Sequence, residues 1–560
     1  MMPGRARSIS RTVQVLGIGW LLLCCGLVRA QSGSPRRGAP AEGKFKIAGL
    51  MVNSLNGAPL GKARVSLIDT RNRAAAVWMI TKEDGRFAFD SLPQGKFSLE
   101  GEKRGFLAAA YQQHEQFSTA IVTGAGFDTE NLTLRLTPLA WLSGRVVDES
   151  GDAVRNAQLM LYVESHEGGV NRIARSRYAT TDDEGYYEFA ALAPGNYYVS
   201  VAARPWYAVH PSSTYVDGMG DLAPGVNRSL DVAYPRTFYN GATDSDAATP
   251  IAIGGGDHVT ADIHLRPVPA LHLFVHASEG QRGFSMPWIQ KRVFDLSESV
   301  ESEARGQVAP GVFEMVGIPA GRYSVGSRMA SSGQLAAAAE MNLTKDTVVL
   351  DAGSSEPAGT VKVTARMARG EPLPRGLNLA LRNAKMQFVA FVPLEANGEV
   401  TFDEVPPGKY ALLVNSPLPP YTIARIASQG VETAGHDINV TAGASLELRA
   451  SLVAAVVRVA GFAKRGGRPV SGVMVALVPK DPESHPERFL RDQTDLDGSF
   501  EMPGVLPGVY TIIAVEDAWD FPWMQPGALA KYVQHGQNLT IGELMQGSVE
   551  LPDPVEVQLR

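Results

Sequence analysis

Residues 494–516 read TDLDGSFEMPGVLPGVYTIIAVE, and four earlier stretches share that layout. They are TKEDGRFAFDSLPQGKFSLE from Thr81, TDDEGYYEFAALAPGNYYVS from Thr181, APGVFEMVGIPAGRYSVGS from Ala309 and EANGEVTFDEVPPGKYALLV from Glu395. Aligned on Gly85, Gly185, Gly311, Gly398 and Gly498, an apolar residue follows two positions later (Phe87, Tyr187, Phe313, Val400, Phe500). Another comes at four (Phe89, Phe189, Met315, Phe402, Met502). That period of two is the signature of a strand with one buried face.

A second glycine follows at ten residues (Gly95, Gly195, Gly321, Gly408, Gly508), with proline one or two positions before it. An aromatic stands two further on: Phe97, Tyr197, Tyr323, Tyr410, Tyr510. The first glycine, after an Asp or Asn in most copies, predicts a hairpin turn, because glycine accepts positive φ without steric cost. The Pro-Gly pair predicts a chain reversal. The aromatic that follows matches a tyrosine corner, whose phenol caps an upstream backbone carbonyl in Greek-key sandwiches. The repeated phrase therefore concerns folding.

Upstream lie strand–turn–strand phrases such as LSGRVVDESGDAVRNAQLMLYV, and downstream lie alternating runs such as NLTLRLTPL and PVEVQLR. Each unit so assembled is a domain-sized, all-β antiparallel Greek-key sandwich, too long for a solenoid repeat. The expected organisation is 1–30 signal peptide, 31–43 disordered linker, and sandwiches over 44–137, 138–268, 269–352, 353–451 and 452–560. SSGQLAAAAEMNL and PGALAKYV are at most short helical turns.

The run SGRVVDESGDAV…AQLMLY…TTDDEGYYEFAALAPGNYYVSV resembles the carboxypeptidase regulatory-like domain, a transthyretin-like seven-stranded sandwich. YPRTFYNGATDSDAATPIAI and DHVTADIHLRP resemble connectors in tandem arrays of that family in secreted bacterial proteins. The resemblance extends to 44–137 and 452–560. It weakens at 269–352, whose opening phrase lacks its glycine, and at 353–451, where Val400 replaces the first aromatic. The resemblance implies an exported, non-enzymatic rod of five sandwiches that binds or scaffolds. Its similarity to starch-binding folds points toward carbohydrate. The alternatives are a structural spacer or adhesion stalk contacting other proteins, and an accessory subunit of a hydrolase such as a carboxypeptidase.

The first thirty residues have a basic start (Arg5, Arg7, Arg11), an apolar run from Val13 to Val28, and Ala30 before Gln31. This is the layout of a secretory signal peptide. Both cysteines, Cys24 and Cys25, lie within it, so an exported product would have no thiol and depend on burial alone. Removing its four arginines from 52 basic residues leaves 48 against 58 acidic, a net charge of −10. That balance argues against nucleic acid as partner, and no later stretch is apolar enough to span a bilayer. The expected location is the periplasm, cell surface or extracellular space, and the expected partner a polysaccharide or cell-envelope protein.

Chemistry-bearing motifs are few. The family's zinc peptidases use His-x-x-Glu, and the match here is His276 with Glu279, on a strand whose His272 and His276 are expected to face solvent. The turns around Asp495 and Asp497 lack the third oxygen donor that a calcium loop requires, so they read as turn chemistry. No cofactor or metal is expected. Five Asn-x-Ser/Thr triplets (Asn131, Asn227, Asn342, Asn439, Asn538) read as turns before strands. Trp206, Tyr207, Tyr215, Tyr239, Trp519 and Trp523 fall outside the alternating strand positions. Flat rings on loops stack on sugars or grip extended peptides, and these six are the candidate ligand-binding residues.

Overall fold

The computed structural model describes residues 43–560, apart from 125, 167–168, 212, 217–218, 223–226, 277–284, 330–338, 346–347, 352–357, 384–387, 417–420, 429–430, 435, 483–484, 486–487, 526 and 544. The expected signal peptide, and all of the linker except Gly43, lie outside the described residues.

One two-sheet plan repeats. In the first sandwich, Arg86–Leu92 pairs with Phe45–Asn53, which pairs with Leu132–Leu136. The facing sheet runs Asn72–Ile80, Arg64–Asp69, Gly95–Glu102, then Ile121–Thr123. Numbered along the chain, one sheet holds the fourth, first and closing strands, and the other the third, second and fifth. The third strand is always an edge: Asn72–Ile80, Arg172–Thr180, Leu296–Ser299, Phe388–Pro393 and Leu490–Gln493. Each sandwich closes on its own apolar core.

The five aromatics after the Pro-Gly turn are all buried, and each ring so removed from water stabilises its sandwich by about 2–3 kcal/mol. Four make the expected corner. Tyr197 Oη donates to the Ala193 carbonyl at 2.8 Å, Tyr323 to Pro319 at 2.6 Å, Tyr410 to Pro406 at 2.7 Å and Tyr510 to Leu506 at 2.7 Å.

Four expectations need correction. The sheets are not wholly antiparallel: the closing strand runs parallel to the first, as Leu132–Leu136 does to Phe45–Asn53 and Ser445–Ala454 to Gly359–Met367. It enters from the same end as the first strand after the chain has crossed between sheets. The glycine turn is a hairpin in the third sandwich alone, where Ala309 pairs with Val312. In sandwiches 1, 2 and 4 it carries the chain from one sheet to the other, and in sandwich 5 it crosses between the two halves of a single sheet that Val555–Gln558 joins. Its glycine is required there for two reasons. Gly185 and Gly398 have φ of +73° and +83°, and a Cβ would lie 2.5 and 2.4 Å from the Val146 and Ala365 carbonyl oxygens of the first strand.

The stretch expected to be a short helical turn before Leu343 ends instead as the strand Ala339–Leu343, whereas Ala530–Val533 is a four-residue helix. Finally, the sandwiches do not form an end-to-end row. The first meets the fifth across some 375 residues of sequence, with the Leu496 amide donating to the Ala120 carbonyl at 3.0 Å.

Candidate functional site

Two joints between sandwiches concentrate the buried aromatic and ionisable side chains. The first lies between sandwiches 1 and 5. After its fifth strand, sandwich 1 sends a loop across the outer face of sandwich 5. There the imidazole of His114 stacks on Trp519 at 5.0 Å and 6°, with Phe117 tilted against the same indole at 5.5 Å. Trp519 Nε1 donates to the Gly472 carbonyl at 3.2 Å. Gln493 Nε2 donates to the Gln112 carbonyl at 2.6 Å and to Thr119 Oγ1 at 2.8 Å. The Arg491 guanidinium pairs with Glu115 at 2.7 Å and lies 4.6 Å from the centre of the Trp523 ring. Lys96 Nζ reaches Asp495 at 2.6 Å. Burial pushes the Asp495 carboxyl above its usual range, and Lys96 partly opposes this.

Trp523 adds sandwich 2 to this joint. It stacks on Phe489 at 3.9 Å, and a Cβ on Gly169 would come within 2.2 Å of its ring, so only glycine fits there. The next amide, Met524 N–H, donates to the Gly169 carbonyl at 2.8 Å.

The second joint links sandwiches 2 and 3. His210 Nδ1 lies 2.9 Å from Asp231, whose other oxygen lies 3.0 Å from His272 Nε2. His272 Nδ1 lies 2.8 Å from Glu314. All four side chains are buried. Burial pushes Asp231 up, but the two imidazoles outweigh it and hold the carboxyl down at about 2. Burial pushes His272 down, but Asp231 and Glu314 outweigh it and lift the imidazole to about 9. Desolvated charges of this kind are tolerable only when paired and hydrogen-bonded. Alongside, Arg175 Nε donates to Glu298 at 2.7 Å, and Phe294 inserts edge-on against Tyr162 at 5.3 Å. A shallow open cleft between the two sandwiches is lined by Arg236, Lys291 and Tyr323.

The six expected ligand-binding residues are scattered. Trp519 and Trp523 are buried in the first joint, 9% and 8% exposed, and their rings are covered by His114, Phe117 and Phe489. As packed they present no free platform. Tyr239 packs against the core of sandwich 2. Tyr215 belongs to the strand Ser213–Val216, and its side chain lies outside the described residues. Tyr207 hydrogen-bonds to Glu149, which also accepts from Tyr234 at 2.9 Å. Among the five whose side chains are described, Trp206 is open, 87% exposed and perpendicular to Tyr207 at 5.7 Å.

His272 is not solvent-facing as expected. Sandwich 2 covers its sheet, and the residue is 1% exposed. Glu279 lies outside the described residues. In the acidic turns, Asp497 accepts from the Ser499 amide at 3.0 Å and Asp182 from the Glu184 amide at 2.9 Å.

The sequence did not flag Asp231, Glu314 or Arg491. A signal was present for Glu314. It sits in Val312–Ile318, where VFEMVGI is apolar on both faces, and a strand covered on both sides must pair any charge it holds.

This architecture, tandem sandwiches of one plan joined by buried aromatic and ionic contacts, is that of a multidomain all-β protein. Residues 142–218, in the second sandwich, match a family model, the carboxypeptidase regulatory-like domain. No curated protein matches the chain. Among solved structures it is similar to the TIE protein of Bacillus anthracis, with 11% identity over 73% of this chain and 74% of that one, TM-score 0.17. It is also similar to a minor pilin of Streptococcus agalactiae (14%, 40% and 97%, 0.20) and the major pilin subunit of Bacillus cereus (10%, 72% and 99%, 0.13).

Proposed function

We propose that this chain is an exported, non-enzymatic scaffold of the cell envelope, in which five sandwiches are locked into one body that holds a polysaccharide or an envelope protein. The observation that carries this reading is the use made of the buried ionisable groups. His210, Asp231, His272 and Glu314 hydrogen-bond to one another across a joint between sandwiches. A catalytic acid or base must instead reach substrate. Among the described residues no helix is long and apolar enough to cross a membrane. The test is to fractionate the expressing cells and incubate the purified chain with isolated envelope. The expected result is co-sedimentation with envelope and no hydrolysis of amide, ester or glycoside panels. A chain that stays soluble and turns over any of these substrates overturns the reading.

Carbohydrate is the finer proposal for the ligand, and the open indole of Trp206 supports it, since exposed aromatic faces stack on sugar rings. Trp206→Ala is expected to weaken retention on insoluble polysaccharide at least tenfold with an unchanged melting temperature. Equal retention of both proteins removes the carbohydrate reading and leaves a protein partner.

A further inference from the structure

Several cations at the joints are matched to carboxylates of the neighbouring sandwich. Lys96 meets Asp495 and Arg491 meets Glu115 between sandwiches 1 and 5, and Arg425 meets Glu543 between sandwiches 4 and 5. Between sandwiches 2 and 3, Arg175 pairs with Glu298 and Arg204 with Glu303. Arg236 and Lys291 depart from this pattern. They line the shallow cleft between sandwiches 2 and 3, one from each, and among the described residues neither is in an ion pair.

Neutral groups hold both cations in place instead. Lys291, on Ser285–Val293, donates to the Thr243 carbonyl of sandwich 2 at 2.7 Å. Arg236, just before Thr237–Phe238, donates to Ser200 Oγ at 3.1 Å and to the Ser299 carbonyl of sandwich 3 at 3.4 Å. Each keeps N–H donors beyond these bonds. Burial pushes the Lys291 amine below its ordinary range; Asp244 opposes that shift and Arg236 adds to it. Like charges sharing a partly dry cleft cost stability, which an anion bound beside both would recover.

The rest of the lining sets the charge and body of that anion. Glu301 lines the same cleft, so the three side chains leave one positive charge unbalanced. That suits a monoanion and disfavours a sulfate or phosphate dianion. Pro235, Val300 and Pro319 supply apolar wall. The whole chain carries a net charge of −6, which repels a long polyanion more than a small one.

We propose that Arg236 and Lys291 form a binding site for a small organic monocarboxylate, which ties sandwich 2 to sandwich 3 by accepting hydrogen bonds from both cations while its apolar body lies against the prolines. A guanidinium matches a carboxylate in planar, paired geometry. Clefts between domains are favoured places for small-molecule sites. The inference goes beyond the envelope role and stands whether or not that role holds.

Isothermal titration calorimetry of the purified chain at pH 7 tests it, with butyrate as probe and butyramide as its neutral counterpart. Butyrate is expected to bind with a Kd on the order of 1 mM, and butyramide to give no binding heat. Lys291→Gln, which can still donate to the Thr243 carbonyl, should weaken butyrate at least tenfold. Glu301→Gln removes the opposing charge at an exposed position and should tighten butyrate at least threefold, a gain that a damaged fold cannot imitate. No heat from butyrate up to about 20 mM overturns the proposal. So does equal binding of butyramide, an affinity that neither substitution moves, or a preference for polygalacturonate, which would make the ligand an acidic polymer.

Discussion

Thr123 supplies in sandwich 1 the hydrogen bond that a tyrosine makes in the other four. Its Oγ1 donates to the Pro93 carbonyl at 2.7 Å and accepts from the Gly95 amide at 2.9 Å. Pro93 is four residues before Phe97, the spacing at which Tyr197, Tyr323, Tyr410 and Tyr510 each meet their acceptor. Phe97 has no hydroxyl, so a residue from the neighbouring strand Ile121–Thr123 provides one. Thr123→Val is expected to cost about 1–2 kcal/mol, because it leaves a half-buried carbonyl and amide without their partner. Adding Phe97→Tyr to that variant should recover part of the loss, since the phenol then reaches Pro93. Denaturant melts of the single and double variants check this, and a double variant no more stable than Thr123→Val would remove the equivalence.

The joint between sandwiches 1 and 5 has its own reporter. The Leu496 amide donates to Ala120 across the joint, so its hydrogen exchange reads docking directly. Trp519→Ala removes the ring that His114 and Phe117 pack against. Large-to-small changes at buried aromatics cost about 3–5 kcal/mol. Exchange at Leu496 should accelerate by at least two orders of magnitude, while amides in the core of sandwich 4 keep their protection. Unchanged protection at Leu496 would show that the indole does not hold the joint.

Much of each sandwich was legible in the sequence because its signals are local. Phe87 and Phe89, or Tyr187 and Phe189, alternate within one strand, and Gly185 is fixed by a turn four residues long. The hairpin reading of that turn failed for a non-local reason. Whether Asp182–Gly185 joins partners in one sheet or crosses between two depends on where the first and second strands lie. The joints were hidden for the same reason. His114 and Gln493, or Asp231 and Glu314, are unremarkable polar residues in sequence and acquire meaning when distant segments meet. Trp519 and Trp523 fall outside the alternating strand positions, yet both are buried with Met474, Ile513 and Val515 in a second apolar cluster of sandwich 5. Whether a ligand or a neighbouring sandwich covers such rings depends on packing between domains.

Asp492 is a site where the fold works against a charge. Burial pushes its carboxyl up to about 6, although the Glu501 amide donates to it at 2.7 Å. A carboxyl whose folded pKa lies above its unfolded value of about 3.8 loses stability as pH rises between those values. Asp492→Asn retains the acceptor and removes the charge. The variant is expected to melt about 2–4 °C above wild type at pH 7. At pH 3.5, where Asp492 is protonated when folded, the gain should shrink toward zero. A gain of equal size at both pH values would mean that ionisation is not its source.

The ionic chain between sandwiches 2 and 3 gives the pH dependence its other limits. His272, lifted to about 9, contributes stability that is complete below its unfolded value of about 6.5 and declines as pH rises to 9. Asp231, held at about 2, contributes stability that is complete above about 3.8 and is lost as pH falls toward 2. The joint should therefore be tightest between about pH 4 and 6.5. It should lose about 3 kcal/mol between pH 6.5 and 9, the equivalent of the His272 shift. His272→Gln keeps one donor toward a carboxylate but cannot titrate. It is expected to be less stable than wild type at pH 6 and to show a flat alkaline limb, with curves converging near pH 9. Thermal melts across pH 3 to 10, read by exchange at amides flanking Asp231 and Glu314, measure both limbs. A wild-type profile that is level from pH 6.5 to 9 would place His272 outside the charge balance of the joint.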